Sequence, residues 1–91
     1  MGSINRETAS ALARDRVNQL AQSVGDQFEF LPDSPKEIEQ GWLFFFNTAD
    51  FVRTRNPASA LAGNGPIFVT RGGVVHELPS AITWQDAVRH I

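Results

Sequence analysis

Five large apolar residues stand side by side in this chain, Trp42-Leu43-Phe44-Phe45-Phe46, bounded by Gly41 and Asn47. A strand sends successive side chains to opposite faces of its sheet, so Trp42, Phe44 and Phe46 share one face and Leu43 and Phe45 the other. Both faces of such a strand are apolar, which places it centrally in a sheet. The run is also far shorter than the roughly 20 apolar residues of a membrane-spanning helix, so membrane insertion is excluded as an expectation.

The other elements arrange themselves around that strand. Ala9, Leu12, Ala13, Val17, Leu20, Ala21 and Val24 recur at three- and four-residue spacing, which predicts an amphipathic helix over about 6–24, capped by Ser3 or Asn5 and closed by Gly25. Phe28-Glu29-Phe30-Leu31 alternates at period two and predicts a first strand over 27–31, stopped by Pro32-Asp33-Ser34-Pro35. Lys36 to Gly41 reads as an acidic connection, residues 50–57 as extended or turn-like, and 58–62 as one helical turn ended by Gly63-Asn64-Gly65-Pro66. Ile67–Thr70 and Val74–Leu78, separated by Arg71-Gly72-Gly73, predict an antiparallel hairpin. Thr83 with Asp86 three positions later resembles a capping box, and Trp84, Ala87, Val88 and Ile91 then fall at helical spacing. The expected fold is α+β: an antiparallel four-stranded meander sheet, packed by an N-terminal amphipathic helix and followed by a short C-terminal helix. Residues 1–91 form one domain, with 1–5 expected to be disordered or extraneous.

One helix suffices for the aromatic face of Phe28, Phe30, Trp42, Phe44 and Phe46. Only the short terminal helix or a loop remains for Leu43 and Phe45. Either of those covers them, or they stay open and offer a contact surface to a partner or a second copy, because two such side chains left in water forfeit on the order of 1.5–3 kcal/mol each.

With 91 residues and no cysteine, the chain has no disulfide to supplement a small core, so packing or a partner must hold it together. No export signal opens the sequence, and the cytoplasm is the expected compartment. The net charge of −2 shows no basic stripe for nucleic acid. It conceals an acidic block of −5 over residues 25–51 followed by a basic block of +3 over 52–71, an asymmetry suited either to a solvated surface or to steering a charged partner.

The inventory for chemistry is poor. Two histidines, His76 and His90, lack any metal-ligand spacing, and no serine sits in a Gly-x-Ser-x-Gly setting. Gly63-Asn64-Gly65 lacks the Lys-Ser/Thr ending of a phosphate loop and precedes a strand, where a phosphate cradle would open a helix. Glu29, Asp33, Glu37 and Glu39 cluster in a stretch that reads as exposed, hence solvated or facing a partner. Neither catalysis nor a cofactor or metal is expected.

Gly41-Trp42-Leu43-Phe44-Phe45-Phe46, then Phe51, then Leu61-Ala62-Gly63-Asn64-Gly65-Pro66 running into Ile67-Phe68-Val69, resembles the signature of the YrhB-like domain, or immunity protein 35 family. The likeness covers about 41–91 and, in outline, the N-terminal helix. This chain departs from the pattern in having Arg53-Thr54-Arg55-Asn56 where the family commonly has Glu-Thr-Gly-Asp, Thr70 where an acidic residue usually ends the strand, and a shorter hairpin loop. The resemblance implies a cytoplasmic bacterial protein that binds and blocks the toxic C-terminal domain of a cognate secreted toxin, protecting the producing cell. It implies no catalysis, and a structural role for the motif residues themselves.

Asp33, Glu37 and Glu39 on one loop, Arg53 and Arg55 on another, and Leu43 with Phe45 are therefore the expected partner contacts, with a homodimer as a further option. A chaperone-like or adaptor module using an open apolar sheet face is the alternative, and a small hydrolase the third class.

Overall fold

The computed structural model describes residues 3–61 and 63–91; Met1, Gly2 and Ala62 lie outside the described residues, as do the parts of the expectations for 1–5 and 58–62 that fall on them. Helix α1 spans Arg6–Ser23 and buries Ala9, Ala13, Val17 and Ala21. These fall at strict four-residue spacing, and their small side chains let the helix lie close on the sheet. Asn5 is the cap that forms, its side chain accepting from the Thr8 N–H at 2.8 Å. Gly25, at φ +68°, turns the chain out of the helix as expected. Val24 does not continue the buried stripe; it is 65% exposed.

The apolar run proves to be two strands rather than one. β1 (Phe28–Phe30) pairs antiparallel with β4 (Phe46–Thr48), while β3 (Gly41–Phe44) pairs with β2 (Lys36–Ile38) on one side and β5 (Ile67–Thr70) on the other. β6 (Val75–Glu77) completes an antiparallel four-stranded sheet in the order β2-β3-β5-β6. The fold class therefore stands as α+β with a four-stranded antiparallel sheet. Its first member is β2, drawn from the stretch expected to be a connection, and β1 forms a separate two-stranded sheet with β4.

Phe45 is the point where the chain changes sheets. Its N–H donates to the Ser34 hydroxyl at 2.7 Å, that hydroxyl donates to the Phe45 carbonyl at 3.0 Å, and the Leu31 N–H reaches the same carbonyl at 2.8 Å. A loop thus takes up the backbone groups that a continuous strand would have given to a neighbour. Ser34→Ala removes both side-chain bonds to a part-buried backbone, and we expect a loss of about 1–3 kcal/mol in urea unfolding; a change below a few tenths would show that the switch does not depend on Ser34.

Side-chain alternation survives the break. Trp42, Phe44 and Phe46 join Phe28, Ile67 and Val69 beneath α1. Leu43 packs with Phe68, Leu78, Ala87 and Val88 on the opposite face, with Phe45 and Trp84 at its margin. Helix α3 (Trp84–Arg89), capped by Thr83 accepting from the Asp86 N–H at 3.2 Å, covers that second face. The expectation that Leu43 and Phe45 could stand open is corrected accordingly: Leu43 is 0% exposed and Phe45 half-buried.

A second correction concerns residues 50–57, expected to be extended or turn-like. They form helix α2 (Ala49–Thr54), capped by the Thr48 hydroxyl accepting from the Phe51 N–H at 3.0 Å, and end in Arg55 at φ +60°. A single 3-10 turn, Pro57–Ser59, follows.

Candidate partner-binding surface

The motif Gly63-Asn64-Gly65-Pro66 is bolted to the sheet. Asn64 Nδ2 donates to the Phe46 carbonyl at 3.1 Å, and the Asn47 side chain accepts from the Leu61 N–H at 2.7 Å. A Cβ on Gly65 would stand 1.9 Å from the Leu78 carbonyl oxygen, so only glycine admits that approach. These residues hold the loop against β4 and the end of the hairpin, a structural role.

The acidic and basic blocks partly neutralise each other. Arg53 on α2 meets Glu29 on β1 at 2.8 Å, and Arg71 meets Glu37 on β2 at 3.0 Å. Arg71 also lies 4.4 Å over the Trp42 ring and donates to the Ile38 carbonyl at 2.7 Å and the Glu39 carbonyl at 3.3 Å. It clamps the β2–β3 turn. The sequence places Arg71 in the hairpin loop and in the basic block; its contacts with Trp42, Glu37 and the β2–β3 turn depend on the fold.

The expected contact residues fall into separate places. Asp33 is exposed in the turn after β1, Glu37 on the outer strand β2, and Glu39 in the β2–β3 turn. Arg53 is exposed on α2, and Arg55 just beyond it lies 5.7 Å from the Phe51 ring. Asp33 and Glu39 make no ion pair among the described residues. Leu43 is sealed beneath α3 and is not a surface residue; Phe45 presents only part of its ring.

A concavity the sequence did not announce runs between the C-terminal end of α1 and the motif loop. It measures about 580 Å³ and is walled by Leu20, Val24, Phe28, Leu61 and Ile67. Its residues come from distant stretches, and the one local sign was an apolar Val24 immediately before the terminating Gly25. On the opposite face, His76 and His90 border a smaller hollow of about 250 Å³ with Ile82 and Ile91. His76 stacks on Phe68, ring centres 6.2 Å apart. Among the described residues no group of three or more His, Cys, Asp or Glu could hold a metal ion, and no helix is long and apolar enough to cross a membrane.

The model of one protein family, described as immunity protein 35, matches residues 7–90. The chain is 40% identical over 45 residues to the protein YrhB of Escherichia coli (strain K12); the aligned part is 48% of this chain and 48% of that relative. The chain thus spans about half the length of the curated relative it matches. No solved structure matches it.

Proposed function

The chain belongs to the immunity protein 35 family, and from that premise we propose that it binds a cognate bacterial toxin in the cytoplasm of the producing cell and blocks the toxin's C-terminal toxic domain by occlusion, without catalysis. The observation that carries this reading is the family match across nearly the whole chain, residues 7–90. The exposed carboxylates of Asp33 and Glu39, in two separate turns, support it, since complementary charge speeds capture of a partner. The chaperone-like alternative loses its basis, because the apolar sheet face it required is covered by α3.

Co-expression with the toxin encoded beside it is the test. The toxin co-purifies with this chain and growth is rescued; no complex and no rescue overturn the proposal. Within that complex, Asp33→Lys with Glu39→Lys slows association about tenfold or more at low salt. The same double variant shifts stability by less than about 1 kcal/mol, because neither side chain has an ion-pair partner to lose among the described residues. An unchanged association rate removes these two residues from the interface.

A further inference from the structure

The four-stranded sheet has two edges, and they differ. β2 carries Lys36 and Glu37, and its pairing turns the backbone groups of Lys36 and Ile38 toward β3, so that edge is charged and only Glu37 faces outward. β6 has no such protection. The Thr70 N–H donates to the Val74 carbonyl at 2.9 Å and the Leu78 N–H to the Pro66 carbonyl at 3.0 Å, which turns the backbone groups of Val74, His76 and Leu78 toward β5. Those of Val75 and Glu77 therefore point outward, and no backbone partner meets them among the described residues.

Apolar surface gathers at the same edge. Four large hydrophobic side chains stand exposed among the described residues, and three of them, Val74 (54%), Ile82 (45%) and Ile91, flank β6. Val74 shares the α3 face of the strand with His76 and Leu78 by alternation, the face on which Leu78 and Ile82 border the smaller hollow.

We propose that β6 pairs antiparallel with β6 of a second copy of this chain, about a two-fold axis at His76, joining two sheets into one. The register is dictated by the outward groups. Only Val75 opposite Glu77 of the second copy uses both residues on both strands, giving four main-chain hydrogen bonds, whereas a shift that sets Glu77 opposite itself places Pro79, which has no N–H, across from Val75. The same register sets the exposed Val74 of each copy opposite Leu78 of the other, beside Ile82, and so covers apolar surface that the monomer leaves in water. The Glu77 carboxylate lies on the other face, held by Arg16 at 2.9 Å, and does not enter the joint unpaired. An isologous contact of this kind closes on itself at two copies. The strip is short, so the dimer forms at micromolar rather than nanomolar concentration.

Sedimentation velocity on the full chain, from about 5 µM to about 500 µM, decides the matter. The weight-average mass rises from 10.0 kDa toward twice that value, and the Val75 and Glu77 amides become at least about tenfold slower to exchange at the upper concentration. Val74→Lys, at an exposed position, and Val75→Pro, which removes an outward donor, each weaken the dimer at least about tenfold while the far-UV spectrum is retained. Should Val75→Pro fail to fold, Val74→Lys alone carries the comparison. A mass that stays at 10.0 kDa throughout overturns the proposal, as does a dimer that Val74→Lys leaves unchanged. A monomer that still rescues growth overturns the dimer alone and leaves the toxin-binding reading standing.

Discussion

Gly65→Ala loses about 3 kcal/mol or more of folding stability, at or beyond the upper end of ordinary overpacking. The added methyl group would stand 1.9 Å from the Leu78 carbonyl oxygen and 2.8 Å from its carbon, and both are main-chain atoms with no side-chain freedom to yield. Either the motif loop lifts off β4, losing the Asn64 bond to the Phe46 carbonyl, or the Leu78 end of the hairpin moves and opens the core beneath α3. For a domain of this size the loss corresponds to a melting temperature lower by at least about 12 °C. Gly72→Ala is the control, because its nearest neighbour is the Thr70 hydroxyl at 3.9 Å, and thermal melting should barely register it. Melting of the Gly65 variant within a degree or two of the parent would sink the account of why this motif carries a glycine.

Leu43→Ala comes next, with a loss of about 2–5 kcal/mol in urea unfolding, the range for emptying a buried leucine site. Leu43 has no exposed surface and packs among Phe68, Leu78, Ala87 and Val88. As an open contact residue it would behave in the opposite way, weakening partner binding and leaving stability nearly untouched. A loss below about 1 kcal/mol would mean that α3 does not seal the second face.

Local signals were legible wherever one element decides its own shape. The stripe of Ala9, Ala13, Val17 and Ala21, the cap at Asn5 and the turn at Gly25 belong to α1 alone, and the helix lies within a residue of its expected bounds. Thr83 with Asp86 likewise marked α3, and Arg71-Gly72-Gly73 marked the β5–β6 hairpin. The stretches that misled were those whose conformation depends on a distant neighbour. Lys36-Glu37-Ile38 carries no strand signal, and becomes one because β3 offers it an edge and Arg71 secures the turn that follows. Asp50 to Thr54 looked extended because Arg55, Asn56 and Pro57 follow closely, yet the Thr48 hydroxyl starts a short helix that Arg55 ends in a left-handed conformation. The break at Phe45 was invisible for the same reason, since nothing in five consecutive apolar residues marks which one will bond to Ser34.

The contact residues show the same division. That Asp33, Glu37, Glu39, Arg53 and Arg55 lie at the surface follows from their charge alone, because burying an unpaired charge is too unfavourable to tolerate. That Glu37 is engaged by Arg71 and Arg53 by Glu29, leaving Asp33 and Glu39 without ion-pair partners among the described residues, is a matter of which strands become neighbours.

By itself, the sequence determined the fold class and the parity of its central run, because backbone alternation assigns side chains to faces whatever the neighbours are. It also carried the family membership, through motif residues that the folded chain uses to hold a loop against the sheet. Only the tertiary structure decided that the run is shared between two sheets, that α3 closes over Leu43, and that β6 is left with outward backbone groups and an exposed valine beside it. Those outcomes depend on pairings between residues far apart in the chain, and a pattern of single residues does not encode which distant backbone group will satisfy which.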